Sequence, residues 1–295
     1  MKKAYIILAH KNPAQLIRLV DRLDDGRSTF FIHIDLRTTL DSYHESLLAR
    51  NNIVHIHRIS TKWGGFSLAE ATLNAMQAVE ESGIAFSAIS LLSGQDYPIK
   101  TNEEIDQFLA TSAHSIFLDY FPLPNYRRWD TGGTYRYKKY FFGTSSIPIF
   151  FSKSLNLLSI FIPPFARKLP FHLRPYCGSQ WWTMDLYALR YILTYVKKNP
   201  KYYNFHKFTF APDELFFHTI LLNAKDERIR KSITNNNLRY MRWISVENPH
   251  PEILVAADFP QLAASEHFFA RKFEPAEDSA ILDKIDQHLL QLAES

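Results

Sequence analysis

The sequence predicts an α/β fold in which a central, mostly parallel β-sheet carries helices on both faces. Over the first 120 residues, short runs rich in β-branched and aromatic residues alternate with segments whose apolar residues repeat at helical spacing. This alternation predicts a parallel sheet, because the crossover helix between two parallel strands must pack on a face of the sheet. With 295 residues and 46% apolar side chains, the chain can bury a large core in a single domain.

Five strands and two helices are expected in this first part. The strands cover residues 4–9, 29–34, 53–57, 86–92 and 115–120. One helix follows the first strand and another follows the third strand, each with an apolar stripe. The members of these stripes are Leu16, Leu19, Val20 and Leu23, then Leu68, Thr72, Ala75, Met76 and Val79.

Ligands of open α/β sheets bind beyond the carboxyl ends of the strands, so the residues that follow each strand are candidate site residues. His10 and Lys11 follow the first strand, and Asp35 follows the second. Trp63 follows the third strand in a Lys-Trp-Gly-Gly segment, and Asp96 follows the fourth in a Ser-Gly-Gln-Asp segment. These side chains are therefore expected at the ligand-binding edge of the sheet.

Residues 121–175 break the alternation with aromatic, proline and basic residues, and they are expected to form a long irregular insertion. Within it, residues 147–165 form the most apolar part of the chain, but polar residues and two adjacent prolines interrupt that run. The segment is therefore not expected to cross a bilayer. Two interpretations stay open: a surface segment, 147–168, in peripheral contact with a membrane, and a partly buried helix beneath a lid.

The rest of the chain is expected to complete one domain over residues 1–275 and to add an amphipathic helix, within residues 276–295, that packs on it. The apolar side of that helix consists of Ile281, Ile285, Leu289 and Leu292. Asp185 has the position of a helix N-cap, and Asp258 caps a short turn. The further elements are a strand at 180–183, helices at 185–197 and 214–223, and a strand at 238–243.

Composition excludes several classes of protein. The single cysteine, Cys177, can form no disulfide within the chain and indicates a reducing compartment. The 34 basic and 30 acidic residues give a net charge of +4, too small and too evenly spread for a nucleic-acid-binding surface. No glycine-rich phosphate loop, nucleophile elbow or His-Glu-x-x-His motif is present. The 15% aromatic content, in contrast, favours stacking on a flat polar ligand such as a sugar or a base.

Three segments carry candidate chemistry. Arg271 and Lys272 lie between aromatic residues, where a low local dielectric would strengthen their attraction to a diphosphate, although they could also be surface residues of a turn. Asp213 and Glu214 stand where a helix is expected to begin, either as its caps or with one of them as a general base in a cleft. Residues 126–129 combine aromatic rings with two arginines, a pattern typical of binding to hydroxyl-rich ligands or of a basic surface loop. No Asp-x-Asp follows a strand, so a bound diphosphate would have to be held by protein cations.

The most specific motif is Leu-Leu-Ser-Gly-Gln-Asp-Tyr-Pro-Ile-Lys-Thr at residues 91–101. Trp-Gly-Gly precedes it at 63–65, and three blocks follow it: Gly-Ser-Gln-Trp-Trp at 178–182, Ala-Pro-Asp-Glu at 211–214 and Phe-Ala-Arg-Lys-Phe at 269–273. In this order the blocks resemble the core-2/I-branching enzyme family of inverting glycosyltransferases. That family includes β-1,6-N-acetylglucosaminyltransferases and peptide O-xylosyltransferases.

This resemblance implies a GT-A fold, a UDP-sugar donor, a glycan or glycolipid acceptor and catalysis without a metal or other cofactor. By position, Glu214 corresponds to the catalytic base of the N-acetylglucosaminyl branch, Asp35 to a residue that meets the uridine, and Lys272 to the lysine that faces the diphosphate. The strand ends, the cationic segment and this resemblance together give the expected donor-binding residues Ala9, His10, Asp35, Trp63, Asp96, Arg271 and Lys272. The expected acceptor-binding residues are Arg128 and Trp129, which resemble a pair in the acceptor loop of the N-acetylglucosaminyl branch, with Gln180, Trp181 and Trp182.

The chain departs from the family pattern at three points. A second family cation, an arginine, falls near residues 248–251, where this chain has none, and the residues that could replace it are Arg239, Arg242, His250 and Arg271. Gln180 stands where xylosyltransferases have an aspartate, which favours transfer of N-acetylglucosamine, with xylosyl transfer or a non-catalytic carbohydrate-binding module as alternatives. The single cysteine excludes the disulfides of the animal members, and we expect no membrane anchor like theirs. This difference leads us to expect a bacterial cytoplasmic enzyme of envelope or capsule glycan synthesis, at the inner face of the membrane if residues 147–168 bind there.

Overall fold

The computed structural model describes residues 1–40, 43, 47, 49–143, 146–244 and 250–290. Its strands are β1 (Lys3–Ala9), β2 (Ser28–Ile34), β3 (Ile53–His55), β4 (Ala88–Ser93), β5 (Asp96–Pro98), β6 (Ile116–Pro122), β7 (Tyr176–Met184), β8 (Ile233–Asn235), β9 (Arg239–Met241) and β10 (Phe269–Arg271). Its α-helices are α1 (Pro13–Leu23), α2 (Ser67–Glu81), α3 (Asn102–Thr111), α4 (Tyr135–Lys138), α5 (Ser146–Phe161), α6 (Leu186–Lys198), α7 (Pro200–His206), α8 (Phe216–Leu222), α9 (Glu227–Ser232), α10 (Phe259–Ala263) and α11 (Ala280–His288). Short 3₁₀ turns cover Pro163–Phe165, Pro170–His172, Pro212–Glu214 and Ala256–Asp258.

The central sheet has the strand order β3-β2-β1-β4-β7-β6-β8. Neighbouring strands are parallel from β3 through β4 and again between β6 and β8, whereas β7 runs antiparallel to both β4 and β6. Every residue of β1 is buried, as expected for a central strand with helices on both faces. The predicted α/β class with a mostly parallel sheet is confirmed.

Each face of the sheet has its own apolar core. Along β1, Ile6 and Leu8 point into a core shared with α2, α6 and α8, while Tyr5 and Ile7 point into a core shared with α1, α3 and α11. This division follows from the alternation of side chains along a strand. Each large apolar side chain buried in these cores stabilises the fold by about 1.5–3 kcal/mol.

A second, three-stranded sheet, β5-β10-β9, begins just after the carboxyl end of β4. This sheet was not expected in this form. Its register places Arg271 of β10 between Asp96 of β5 and Met241 of β9. The expected strand at 238–243 is shortened to β9, and the pattern of alternation missed β5, β8 and β10 because each is only three residues long.

The helix expected at 214–223 begins only at Phe216. Residues Pro212–Glu214 form a 3₁₀ turn, and Leu215, with φ −131° and ψ −35°, interrupts the helical path. No side-chain hydrogen bond caps either element. Glu214 therefore stands on a turn ahead of α8, and the interpretation of Asp213 and Glu214 as helix caps is wrong.

The helix expected at 185–197 is confirmed as α6, and Asp185 caps it by accepting a hydrogen bond from the Ala188 N–H at 2.8 Å. The C-terminal helix is also present as α11, with Ile281 and Ile285 buried in the second core. Leu292, the last member of its expected apolar side, lies outside the described residues.

The insertion at 121–175 is less irregular than expected, because it contains α4 and the 16-residue α5. The apolar side chains of α5 are largely exposed, so a helix buried beneath a lid is not what the structure shows. Of the residues described, no helix combines the length and the apolar character needed to cross a membrane.

Candidate active site

Two turns joined by a backbone hydrogen bond position Glu214. In the turn at residues 63–65, Gly64 has φ +73°, and a Cβ there would lie 2.9 Å from the ring of Phe210, so the position requires glycine. The Ala211 N–H donates to the Gly64 carbonyl oxygen at 2.8 Å. This bond ties the 63–65 turn to the turn Pro212–Glu214.

Glu214 is held by a buried arginine. Arg136 Nη1 donates to Glu214 Oε2 at 2.5 Å, and the guanidinium of Arg136 lies 4.9 Å from the ring centroid of Trp129 and 5.6 Å from that of Phe210. Burial alone would lower the pKa of Arg136, but Cys177 and Glu214 together raise it above its ordinary value. One carboxylate oxygen is thus fixed by a permanent cation, while the side chain of Glu214 remains 37% exposed.

The neighbouring acid has a different environment. Asp213 is buried, and its Oδ1 has no hydrogen-bond partner among the described residues. Burial, followed by repulsion from Glu214, raises the pKa of Asp213 above its ordinary value. Glu214 is therefore the exposed carboxylate of the pair and the one that a substrate can reach.

Arg271 is built into the small sheet. Its Nη1 lies 3.3 Å from Asp96 Oδ1, and its guanidinium stacks 4.0 Å from the ring centroid of Trp181. Burial lowers the pKa of Arg271, and the charge of Asp96 partly opposes that shift. Asp96 is itself fully buried and also accepts hydrogen bonds from the N–H and hydroxyl of Ser93 at 2.9 and 3.0 Å. Asp96 thus supports Arg271 and does not present its own carboxylate to a ligand.

Lys272 offers a second cation. It is partly buried, and no described carboxylate lies within ion-pair distance of its ammonium group. Burial, with repulsion from Lys11 and Arg271, lowers the pKa of Lys272. The nearby Glu274 pairs instead with Lys11 and accepts a hydrogen bond from Asn12 Nδ2 at 2.7 Å. An anion bound at Lys272 would relieve this crowding of positive charge.

His250 connects the two halves of the site. Its pKa is lowered by burial and by the charges of Lys272 and Arg271, while Glu214 raises it, so all three groups lie within electrostatic reach of one imidazole. The ring of His250 also packs edge-on against Trp63, with centroids 5.6 Å apart. The acid and the two cations therefore all act on the same imidazole.

The donor residues expected at the ends of β1 and β2 lie there. Ala9 closes β1 and is buried, and His10 follows it. Partial desolvation of the His10 imidazole, together with the charge of Lys11, lowers its pKa. Asp35 follows β2, but its oxygens accept hydrogen bonds from Arg37 Nε and the Thr61 N–H, both at 2.9 Å. Burial would raise the pKa of Asp35, and these bonds hold it well below its ordinary value instead.

Of the four residues considered as the second phosphate cation, two are occupied elsewhere. Arg239 is fully buried and donates to the carbonyl oxygens of Leu91 and Trp182, while burial lowers its pKa to about 9. Arg242 pairs with Asp258 at 2.8 Å. Arg271 and His250 remain as candidates, and residues 248 and 249 lie outside the described part of the chain.

The expected acceptor residues divide into three groups. Arg128 is exposed and stacks over Phe121 at 4.8 Å, while Trp129 packs between that ring and Arg136. Gln180 and Trp181 lie on β7, and Trp181 supports Arg271. Trp182, in contrast, is buried in the first core against Phe217, so its ring contributes to packing and not to the acceptor surface.

Arg136 is the site residue that the sequence analysis missed. Its signal was a charged side chain between two aromatic residues, Tyr135 and Tyr137, within the region expected to form an irregular insertion. Among the described residues no group of three or more His, Cys, Asp or Glu side chains could hold a metal ion.

Comparison with known proteins identifies the family of this α/β protein. The chain belongs to the Core-2/I-branching enzyme family, whose model matches residues 3–263. It is 28% identical to the dog protein "Xylosyltransferase 2" over 97% of this chain and 33% of that protein, and 26% identical to the Drosophila melanogaster protein "Xylosyltransferase oxt" over 93% of this chain and 32% of that protein. The chain thus spans about a third of the length of these relatives. Mouse "Xyloside xylosyltransferase 1" in its apo form aligns over 91% of this chain and 97% of its own, with 12% identity and a TM-score of 0.36.

Proposed function

We propose that this protein transfers a sugar from a UDP-sugar to a hydroxyl group of a glycan, with inversion at the anomeric carbon. The observation that carries the proposal is that one partly exposed carboxylate, Glu214, and two cations, Arg271 and Lys272, all shift the pKa of the same imidazole, that of His250. A transfer of this kind needs a base for the acceptor hydroxyl and positive charge for the departing diphosphate.

Glu214 is the proposed base. Arg136 fixes its Oε2, and Oε1 accepts no hydrogen bond from the described residues, which leaves that oxygen for an acceptor hydroxyl. As the hydroxyl oxygen bonds to the anomeric carbon, the bond to UDP breaks and the proton passes to Glu214. Direct displacement converts an α-linked donor into a β-glycoside.

Lys272 and Arg271 are proposed to stabilise the UDP leaving group. Burial lowers the pKa of both, and repulsion from Lys11 and Arg271 lowers that of Lys272 further, a state that a bound diphosphate would relieve. Stacking on Trp181 and the ion pair with Asp96 fix the guanidinium of Arg271, so it needs little reorganisation during the reaction. With the charge supplied by side chains, we propose that transfer proceeds without a metal ion.

N-acetylglucosamine is the proposed donor sugar, because the carboxylate of the site is Glu214 and position 180 is a glutamine. Xylose is the second candidate, which the names of the relatives favour. The acceptor is proposed to be a glycan or glycolipid of an envelope or capsule.

The proposal is tested by incubating the purified protein with UDP-N-acetylglucosamine, UDP-xylose and other UDP-sugars, with a panel of acceptor glycans, in the presence of EDTA. We expect UDP release with one donor, undiminished by the chelator, and a β-linked product by NMR. Loss of turnover in EDTA with rescue by manganese would contradict the metal-free assignment. A product with the α-configuration would contradict direct displacement.

A further inference from the structure

The helix α5 directs polar side chains toward the protein and apolar side chains toward solvent, the reverse of a surface helix in a soluble domain. Its polar side faces the protein: Tyr140 donates its N–H to Asn156 Oδ1 at 2.6 Å, and Asn156 Nδ2 donates back to the Tyr140 carbonyl oxygen at 3.0 Å. The Phe142 N–H donates to Ser152 Oγ at 3.1 Å. A surface helix normally buries its apolar side and exposes its polar side, so the arrangement needs a reason.

The outward side of α5 is almost entirely apolar. Six of its large side chains are between 54% and 74% exposed, and they are Ile147, Phe150, Phe151, Leu157, Ile160 and Phe161. The apolar surface continues past the end of the helix to Ile162 and Phe165. A contiguous apolar patch of this kind indicates a binding surface.

The segment around this patch carries positive charge only. Residues 131–184 contain no aspartate or glutamate but seven lysines and arginines, in a chain whose net charge is +4. Five of the seven are exposed, and these are Lys138, Lys139, Lys153, Lys168 and Arg174. The rest of the chain is therefore net negative, and the apolar patch lies within a strongly basic segment.

Hydrogen bonds and aromatic contacts attach the segment that carries the patch to the rest of the domain. Arg167, which is buried, donates to the carbonyl oxygens of Phe205 and Phe208 at 2.6 and 2.5 Å, and its guanidinium stacks 4.2 Å from the ring of Phe205. Phe142 packs against Phe208 with ring centroids 5.0 Å apart. These contacts and the hydrogen bonds of Asn156 hold α5 in place without using its apolar side.

We propose that α5 and the residues up to Lys168 dock on an anionic phospholipid bilayer, with the apolar side chains in the interfacial layer and the exposed lysines on the lipid phosphates. An exposed apolar stripe flanked by cations is the combination that such a surface binds. A second copy of the chain would satisfy the apolar side chains but would bring the same positive charges together. At 16 residues, α5 is about 24 Å long, too short to span the hydrocarbon core.

The test is flotation of the purified full chain with vesicles of pure phosphatidylcholine and vesicles that contain about 30% phosphatidylglycerol, at about 0.1 M salt. We expect the protein to float with the anionic vesicles, and the double variant Phe150→Ser/Phe161→Ser to lower the bound fraction about tenfold or more. The matched control is Ile244→Ser, which removes an equally exposed apolar side chain outside the patch and should float like the wild type.

The charge component is tested with Lys153→Glu/Lys168→Glu, which should abolish the preference for anionic vesicles, against Lys284→Glu on α11 as the control. Wild-type protein that remains at the bottom of the gradient, or patch variants that float as well as the wild type, would overturn the proposal. So would a wild-type dimer that does not float and that Phe150→Ser/Phe161→Ser converts to a monomer in sedimentation equilibrium. Because flotation needs no donor or acceptor, its outcome is independent of the proposed transferase activity.

Discussion

Arg136 and Glu214 act as one unit at the scale of single residues. The guanidinium is buried between Trp129 and Phe210, and its only strong anionic contact within the described residues is the carboxylate of Glu214. The arginine therefore positions the proposed base without contacting substrate itself. Its aromatic surroundings keep the pair in a low dielectric, where the orientation of Glu214 is most sharply defined.

Replacing Arg136 with methionine should keep most of the side chain's volume and remove its charge. We expect kcat to fall about tenfold while the affinity for UDP stays unchanged, because the carboxylate loses its fixed orientation. Steady-state kinetics and UDP titration measure the two quantities. In the control Arg128→Met, loss of the exposed guanidinium should raise the acceptor KM and leave kcat nearly intact. A kcat of Arg136→Met equal to that of the wild type would refute the positioning role.

His218 should make stability depend on pH. Burial lowers its pKa to about 4, so the folded protein keeps the imidazole neutral where the unfolded chain protonates it, below about pH 6.5. The unfolded state then binds more protons, and the free energy of unfolding should fall as pH drops from 6.5 to 4, by up to about 3 kcal/mol. Urea unfolding of wild type and His218→Asn across this range isolates the effect, since Asp213, whose raised pKa acts in the opposite direction, is common to both. Identical pH dependence in the two proteins would contradict the assignment.

At the scale of elements, the close approach of β7 to β6 depends on one glycine. A Cβ at Gly178 would lie 1.8 Å from the carbonyl oxygen of Asp119, so the strands must separate to admit any side chain. We expect Gly178→Ala to lower the free energy of unfolding by about 3 kcal/mol in urea titrations. A Cβ at Gly83 would meet no atom within 4 Å, so Gly83→Ala strains only the backbone, which has φ +68°. This control should lower the free energy of unfolding by about 1 kcal/mol. Equal losses would mean that the strands are not in contact at this point.

The small sheet depends on the pair between Asp96 of β5 and Arg271 of β10. Asp96→Asn removes the charge opposite a buried guanidinium, and such an uncompensated charge should cost about 3 kcal/mol of unfolding free energy. Asp283→Asn breaks the exposed pair with Arg18 and serves as the control, with an expected loss under about 1 kcal/mol. Chemical denaturation that finds the two variants equally stable would show that the buried pair does not hold this sheet together.

The sequence predicted elements well where they are long and poorly where they are short. Hydrophobic periodicity located β1, β2, α1 and α2, because a buried parallel strand or an amphipathic helix leaves a pattern over several turns or residues. Three-residue strands such as β5 and β10 leave none, and they are set by their partners across the sheet. The sequence also located α5 as apolar but could not show which of its sides faces the protein, since that depends on the hydrogen bonds of Ser152 and Asn156.

At the scale of the whole molecule, the site joins parts of the chain that lie far apart in sequence. Glu214 precedes α8, which packs in one core, whereas Lys272 follows β10, which packs in the other. Motif order predicted both residues and named His250 only as one of four possible replacements for a family cation, because its closeness to both charges arises from the fold. Arg136 was missed for the same reason: its role depends on where Trp129 and Phe210 bring it.

Because Glu214 and Lys272 have different proposed roles, their replacement should cause different defects. Replacing Glu214 removes a base and leaves the cations in place, so it should affect turnover and not UDP binding. Replacing Lys272 removes charge that acts on bound UDP and on departing UDP alike, so it should affect both.

The most direct test is therefore a paired measurement of kcat and UDP affinity for Glu214→Gln and Lys272→Ala, with melting temperature as the control for folding. We predict that Glu214→Gln lowers kcat by about a hundred-fold or more and leaves the UDP dissociation constant nearly unchanged. Lys272→Ala should weaken UDP binding by about tenfold and lower kcat as well. A Glu214→Gln enzyme that turns over at the wild-type rate, with an unchanged melting temperature, would contradict the assignment of Glu214 as the catalytic base.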